Sequence, residues 1–517
     1  MKKLLAGILA ATMMVSLCAC GAKPAETPAS KTETAQTETK TETTTEATTE
    51  SGATNIVVYR ACFNNGNPDS AKTKEIETAI NDYIKDKINV QITLFDVGSG
   101  EYQEKANLAL NNNEINLLWT AAWEDTIGTK QLYAKKAAYD ITDLLPGTDL
   151  YNSMDANQWE GTKYGGRNYF VPVYKDNVEG YNLMFRQALV DQFGCDLSSV
   201  KGLADIEPML ADAKGEGLPY PFLLQKTAMF YRFYIDSFDF FIGDANGDFV
   251  AVDRDTNEVV DTILSPEYLE YCKLMAKWSA LGYISEDEAA KQTTDTTTQT
   301  QDWAVSWWTD VPNNDEADGR YGQDVTMVKC TKNYMHTDSA LGSCFAITAN
   351  STEEQAKACI DFLGLLYTDK ALADLYTYGV EGTDFTYDAD GYVVKNDSPY
   401  NHSMWESASA TVVTAEASSP YTPQMYKDFN GSAVVSCASG FQFDKEPVKD
   451  KYTACQNVFE EYGFMLETGY FAEDEVEAKI AEYQQKLDEA GYQDVLSTFQ
   501  EQYKEWKKAN YSLINID

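Results

Sequence analysis

Between Asn55 and Trp119 the apolar residues alternate between two periods, and this constrains the fold more than any other feature of the chain. Ile56-Val57-Val58-Tyr59 is a continuous apolar run of the kind found in a strand buried on both faces. Ile76, Ala79, Ile80, Tyr83 and Ile84 then recur at helical spacing. Val90, Ile92 and Leu94 alternate as strand residues, residues 102–110 read as helix, and Ile115 to Trp119 form a third strand. A βαβαβ order predicts a parallel sheet with helices on both faces, because parallel neighbours need a crossover that a helix supplies. Ligands of such sheets bind outside the carboxyl ends of the strands. That end here carries Trp119-Thr120-Ala121-Ala122-Trp123-Glu124-Asp125. The fold class is therefore α/β.

What precedes this body is not foldable. Lys2 and Lys3 open the chain and an apolar run follows from Leu4 to Leu17, too short for a stable membrane span and readable as a secretory signal peptide. The run ends in Leu17-Cys18-Ala19-Cys20-Gly21, which resembles the bacterial lipobox; that resemblance implies lipidation of Cys20 and a signal peptide over 1–20. Two acyl chains anchor a protein stably, whereas one does not. Residues 21–54 hold no Val, Ile, Leu or aromatic residue, so they cannot bury enough surface to fold. They read as a disordered Thr/Glu-rich tether with an end-to-end distance of about 30 Å.

The net charge of −40 argues against nucleic-acid binding and against a polybasic membrane contact, both of which need clustered Lys and Arg. Only His336 and His402 are present, which excludes a His-rich metal site. Cysteines beyond the signal are scattered singly, without a CxxC pair. Asp244-Ala245-Asn246-Gly247-Asp248 has alternating oxygen ligands, but Phe249 replaces the Gly of an EF-hand loop and no Glu closes it; a hairpin turn is the better reading than a calcium loop at 244–255.

Further along, helical patterns lie near 201–214 and 266–281, a polar hairpin over 243–260, and a strand at Trp303-Ala304-Val305-Ser306-Trp307. Ser351-Thr352-Glu353-Glu354 reads as a capping box opening a helix through Tyr367. Val476, Ile480, Tyr483 and Leu487 form one helical stripe, stopped by Gly491, and Val495, Phe499, Tyr503 and Trp506 form another.

Several stretches carry a family resemblance: Asn116 to Trp123, Tyr169-Phe170-Val171-Pro172, Ala346 to Ser351 with its helix, and Tyr378-Gly379-Val380-Glu381-Gly382-Thr383-Asp384-Phe385. So do Gly440-Phe441-Gln442-Phe443-Asp444, Leu487 to Gly491, and Trp506. Together they resemble the extracellular solute-binding proteins of ABC importers, the large family that includes maltose-binding protein, and within it a subgroup of Gram-positive lipoproteins with a distinctive C-terminal domain. The resemblance implies a two-lobed type II fold with a hinge between the lobes and a helical C-terminal region. Lobe one is expected at 55–172 plus 325–380, and lobe two at 173–324 plus 381–517. It further implies a monomer on the outer face of the cell membrane, held through a lipid anchor only, which binds an oligosaccharide and meets ABC permease subunits. No cofactor, metal or nucleic acid is expected.

A sugar cleft needs flat apolar rings for the C–H faces of pyranoses, together with carboxylates, amides or Arg for the hydroxyls. Trp119, Trp123, Tyr174, Trp307 and Trp308 are the candidate rings, and Asp125, Asp176, Arg186 and Asp310 the candidate hydroxyl binders. Strand alternation places Trp307 and Trp308 on opposite faces, so at least one of them is expected in the core. Gly379 and Gly382 suggest tight turns around Glu381. Catalysis is not expected. The competing readings are a surface glycoside hydrolase or lyase, a binding protein for a peptide or other non-sugar solute, and an adhesin whose filled cleft does not close. Paired carboxylates do not argue for a hydrolase in a chain this acidic.

Overall fold

The computed structural model describes residues 52–63, 68–224, 230–240, 249–285, 302–313, 324–400 and 402–514, with side chains to residue 510. The signal and most of the tether, the Asp244–Asp248 loop and the Thr-rich stretch 293–300 lie outside the described residues.

The expected βαβαβ unit is present as β1 (Thr54–Cys62), α1 (Ser70–Ile84), β2 (Val90–Gly98), α2 (Ser99–Asn111) and β3 (Leu117–Thr120). β1 runs parallel to β2 from Thr54↔Val90 to Cys62↔Gly98, and parallel to β3 at Val58↔Leu117. Asp69 starts α1 by accepting the backbone N–H groups of Ala71 and Lys72, and Ile76, Ile80 and Ile84 are buried as their spacing required. Five more strands complete the two main sheets: β4 (Phe170–Pro172), β5 (Tyr181–Arg186), β6 (Val305–Thr309), β7 (Val325–Lys329) and β8 (Cys344–Ile347). The first sheet has the order β2-β1-β3-β8-β4, with β8 antiparallel to both its neighbours. The second has the order β6-β5-β7, and both outer strands are antiparallel to β5.

The helix after β8, α3 (Glu353–Leu366), is capped one residue later than the sequence suggested. Thr352 Oγ1 accepts the N–H of Gln355 at 3.2 Å, and Gln355 Oε1 accepts the N–H of Thr352 at 3.0 Å. The pair is Thr352/Gln355 rather than Ser351/Glu354. The side chain of Ser351 is instead buried against Asn116 and Thr348. α4 (Lys370–Tyr378) follows and ends at Gly379, whose φ of 93° favours glycine; a Cβ there would collide with the side chain of Asp384.

Buried apolar residues form two large cores. One contains Ile56, Val58, Leu117, Trp119, Phe345 and Phe362, and also Phe385, Val393 and Val413. The other contains Leu183, Phe185, Trp278, Val305 and Tyr334 together with the C-terminal stripes Tyr483, Leu487, Val495 and Phe499. Two expected boundaries therefore move. Residues 325–334 belong with the second core, because β7 pairs along β5; residues 385–413 belong with the first, where they cover α4. The C-terminal stripes lie on α5 (Val476–Ala490) and α6 (Tyr492–Ile514), separated by Gly491 at φ 94°. The chain passes between the cores over 174–181, 334–341 and 413–438. Two of these passages are pinned to each other, since Glu179 and Tyr334 exchange backbone hydrogen bonds of 2.8 Å.

Candidate functional site

Where β3 ends, the first sheet delivers an aromatic cluster to its carboxyl edge. Trp119 is fully buried and donates its Nε1–H to Ser343 Oγ at 2.9 Å, while its carbonyl accepts from the Tyr102 hydroxyl at 2.5 Å. Around it sit Phe63, Trp123 and Trp405, with ring centroids 5.2, 5.9 and 6.2 Å away. Phe63 also meets Trp405 at 4.9 Å. The buried indole thus fixes a wall whose outer members reach solvent: Trp123 is 54% exposed, its Nε1–H held by the Gly342 carbonyl at 2.7 Å.

Trp123 and Trp405 line a cavity of about 610 Å³ together with Tyr378, Tyr421 and Tyr426. Tyr378 and Tyr421 are fixed by donating to the carbonyls of Thr414 and Val413 at 2.8 and 3.2 Å. Val311, Pro312 and Asn313 face these rings from the segment after β6, and Asn313 Nδ2 donates to the Pro420 carbonyl at 3.1 Å. The cavity therefore lies between the first core and the chain emerging from the second sheet. Its carboxylates are paired: Asp176 with Lys175 at 3.1 Å, and Glu416 with Lys395 at 2.8 Å. Apolar ring faces beside balanced, partly solvated polar groups suit a ligand that is itself amphipathic and uncharged. A larger cavity of about 740 Å³ lies along β7 and has Lys201, Lys329 and Lys332 but no aromatic ring in its lining.

Of the residues expected from sequence, Trp123 and Asp176 line the aromatic cavity and the others do not. Trp119 and Tyr174 are core residues, Tyr174 donating to Asp155 Oδ2 at 3.0 Å. Arg186 is committed to the Trp303 carbonyl at 3.0 Å. Asp310 is buried between Asn182 Nδ2 at 3.1 Å and Lys329 Nζ at 2.8 Å, so it locks β6 to the other strands of its sheet. β6 runs to Thr309, which splits Trp307 and Trp308 as alternation required, yet neither lines the cavity. Trp308 packs with Met184 and Trp303, while Trp307 donates to the Leu224 carbonyl at 3.1 Å under the Arg232 guanidinium. Asp125 is exposed and outside the cavity. Burial, helped by the charge of Asp125, pushes the neighbouring Glu124 up to about 7.

Trp405, Tyr421, Tyr426, Lys175 and Glu416 were missed: Lys175, Glu416 and Tyr421 lie in irregular segments, Trp405 on a single 3-10 turn over Met404–Glu406 and Tyr426 on the short helix Pro423–Gly431, all outside the elements read from periodicity. The available signal was the aromatic surplus of 12%. Among the described residues no group of three or more His, Cys, Asp or Glu is placed to hold a metal, and no helix is long and apolar enough to cross a membrane.

Comparison with known proteins agrees with this architecture. The chain is 25% identical over 454 residues to a carbohydrate ABC transporter substrate-binding protein of Streptococcus pneumoniae serotype 4, covering 84% of this chain and 88% of that protein. Among solved structures it is similar to the N-glycan transport solute-binding protein from Streptococcus pneumoniae, with a TM-score of 0.70 at 24% identity over 88% of this chain and 99% of that one. The complex of that protein with Man5GlcNAc matches at a TM-score of 0.55 and 24% identity, over 88% and 98% of the two chains. Residues 437–508 match a domain of unknown function, which holds the C-terminal stripes. Residues 78–383 match the model of the bacterial extracellular solute-binding proteins, and with more than half of the chain covered, the protein belongs to that family.

Proposed function

We propose that the protein captures an oligosaccharide outside the cell and delivers it unchanged to the permease subunits of an ABC importer. The observation that carries this reading is the tryptophan wall, anchored by buried Trp119 and open to solvent at Trp123 and Trp405, on one side of a cavity between the first core and the segment after β6. Rings held in this way offer apolar faces to pyranoses, and Asp176, Glu416 and their lysines offer hydroxyl contacts without a net charge. Support also comes from the carbohydrate and N-glycan specificities of the relatives.

The lipobox reading adds an anchor at Cys20, so the body would be carried on its tether at the outer face of the membrane as a monomer. Cys20→Ala should release the protein into the medium; retention in the membrane fraction after salt and carbonate washes would contradict the anchor. The binding reading is tested by thermal shift against neutral oligosaccharides, Man5GlcNAc among them, because a ligand stabilises the state it binds. Product appearing in proportion to protein, and abolished by one carboxylate substitution, would instead place the chain among glycoside hydrolases.

A further inference from the structure

The cavity of about 740 Å³ shares no lining residue with the aromatic one, and the binding of a sugar makes no use of it. The unbroken run 327–333, the end of β7 and the turn after it, forms one side. Among the described residues β7 is an edge strand, because its sheet has the order β6-β5-β7. Pairing with β5 decides which of its backbone groups are committed. The Asp324 carbonyl accepts the N–H of Gln187 at 3.1 Å, and Cys330 donates to the Tyr181 carbonyl at 3.1 Å, with a continuous antiparallel register between them. Hydrogen-bonded pairs alternate along such a ladder, so Thr326 and Val328 also face β5. Met327 and Lys329 therefore turn their N–H and C=O groups away from β5. Both residues line the cavity, and no described residue pairs with those backbone groups.

A strand edge with open donors and acceptors is a template for another extended chain. The charges around this edge select which chain. Lys201, Lys329 and Lys332 line the cavity against a single carboxylate, Asp236, in a protein whose net charge is −40. Lys329 is drawn back to Asp310 at 2.8 Å. Asp236 is taken up by neutral donors, the N–H of Lys332 at 3.0 Å and the Tyr334 hydroxyl at 2.9 Å. Lys201 Nζ meets only the Ser198 carbonyl, at 2.9 Å, and neither Lys201 nor Lys332 forms an ion pair among the described residues. A second copy would bring its own lysines to the same edge, because a two-fold contact pairs a patch with itself, and like charges would oppose it. An acidic strand meets the opposite charge along its whole length. The cavity ends at Val434, which pairs with Tyr334 where two passages between the cores run side by side.

We propose that the free edge of β7 docks an acidic, extended peptide segment of a partner protein, which joins the sheet as a further strand while Lys201 and Lys332 hold its carboxylates. The probe is a fluorescein-labelled peptide of four Glu-Val repeats, titrated with the full chain at low salt and followed by anisotropy. Saturable binding is expected, and it should weaken as salt rises. The Lys-Val counterpart and a fully N-methylated Glu-Val peptide should not bind, since one carries the wrong charge and the other has no backbone donors. Amide exchange over residues 325–333 should slow in the presence of the Glu-Val peptide. Met327→Pro removes an outward N–H and leaves the ladder to β5 untouched, so the fold should persist and binding should be lost. Lys201→Glu combined with Lys332→Glu should weaken binding by about tenfold. The proposal is overturned if the wild type does not saturate, if either control peptide binds equally well, or if Met327→Pro binds like the wild type. Should Met327→Pro not fold, unchanged affinity in the double lysine variant overturns it alone. Binding that appears only after Glu42→Gln, Glu46→Gln and Glu50→Gln together would give the edge to the chain's own acidic tether. A doubling of mass by light scattering that Met327→Pro abolishes would give it to a second copy. Either result would overturn the proposal, and neither bears on sugar binding.

Discussion

Two tryptophans four residues apart meet different fates because β3 ends between them. Trp119 is still on the strand and points into the first core, whereas Trp123 lies beyond it at the cavity. Trp119→Ala should therefore cost about 3–5 kcal/mol of stability in a thermal or denaturant melt, as for other large-to-small core changes. Trp123→Ala and Trp405→Ala should leave the circular-dichroism spectrum unchanged and weaken sugar binding by about 2 kcal/mol, roughly thirtyfold in Kd. Beside Trp123, Glu124 has a carboxyl pushed up to about 7 from an ordinary value of 4.5, chiefly by burial. Between those values the folded state keeps a proton that the unfolded chain has released. Stability should accordingly fall as pH rises from about 4.5 to 7 and level off above that. Glu124→Gln should flatten this slope, which melting temperatures across the window will show.

The elements legible in the sequence were those with a clear period. The βαβαβ unit, the capped helix after β8 and the two C-terminal stripes needed only local information, because burial on one face imposes the spacing. The cap itself was misplaced by one residue, since Ser351 and Thr352 both match the pattern and only tertiary packing takes Ser351 into the core. Thr352→Ala should cost about 1 kcal/mol, measurable as increased hydrogen exchange in the first turn of α3. The boundary at 325 was hidden for a related reason: β7 joins its sheet by antiparallel pairing with β5, and the sequence of an edge strand does not say which partner it takes. The site was less legible than the fold. Trp123 and Asp176 could be found at a strand end and a crossover, but Trp405, Tyr421 and Tyr426 come from a 3-10 turn, a loop and the short helix Pro423–Gly431, whose placement is set by tertiary packing.

At the scale of the whole molecule, the cavity lies between the first core and the segment after β6, and the two cores are linked by three passages, two of which are held together at Glu179 and Tyr334. Closure about these passages should lower the radius of gyration when sugar is added, as small-angle scattering will record. A net charge of −40 and a lining whose two carboxylates are each already paired with a lysine should disfavour acidic glycans. A uronate-bearing or sialylated oligosaccharide should bind more weakly than its neutral counterpart, with the gap narrowing at high salt. The most direct measurement is calorimetric titration of neutral oligosaccharides, starting with Man5GlcNAc, into the wild type, Trp123→Ala and Trp405→Ala. The account predicts saturable one-site binding by the wild type and about a thirtyfold loss of affinity in each variant, with folding intact. Wild-type affinity in both variants would contradict it, because the sugar would then be bound somewhere other than the tryptophan wall.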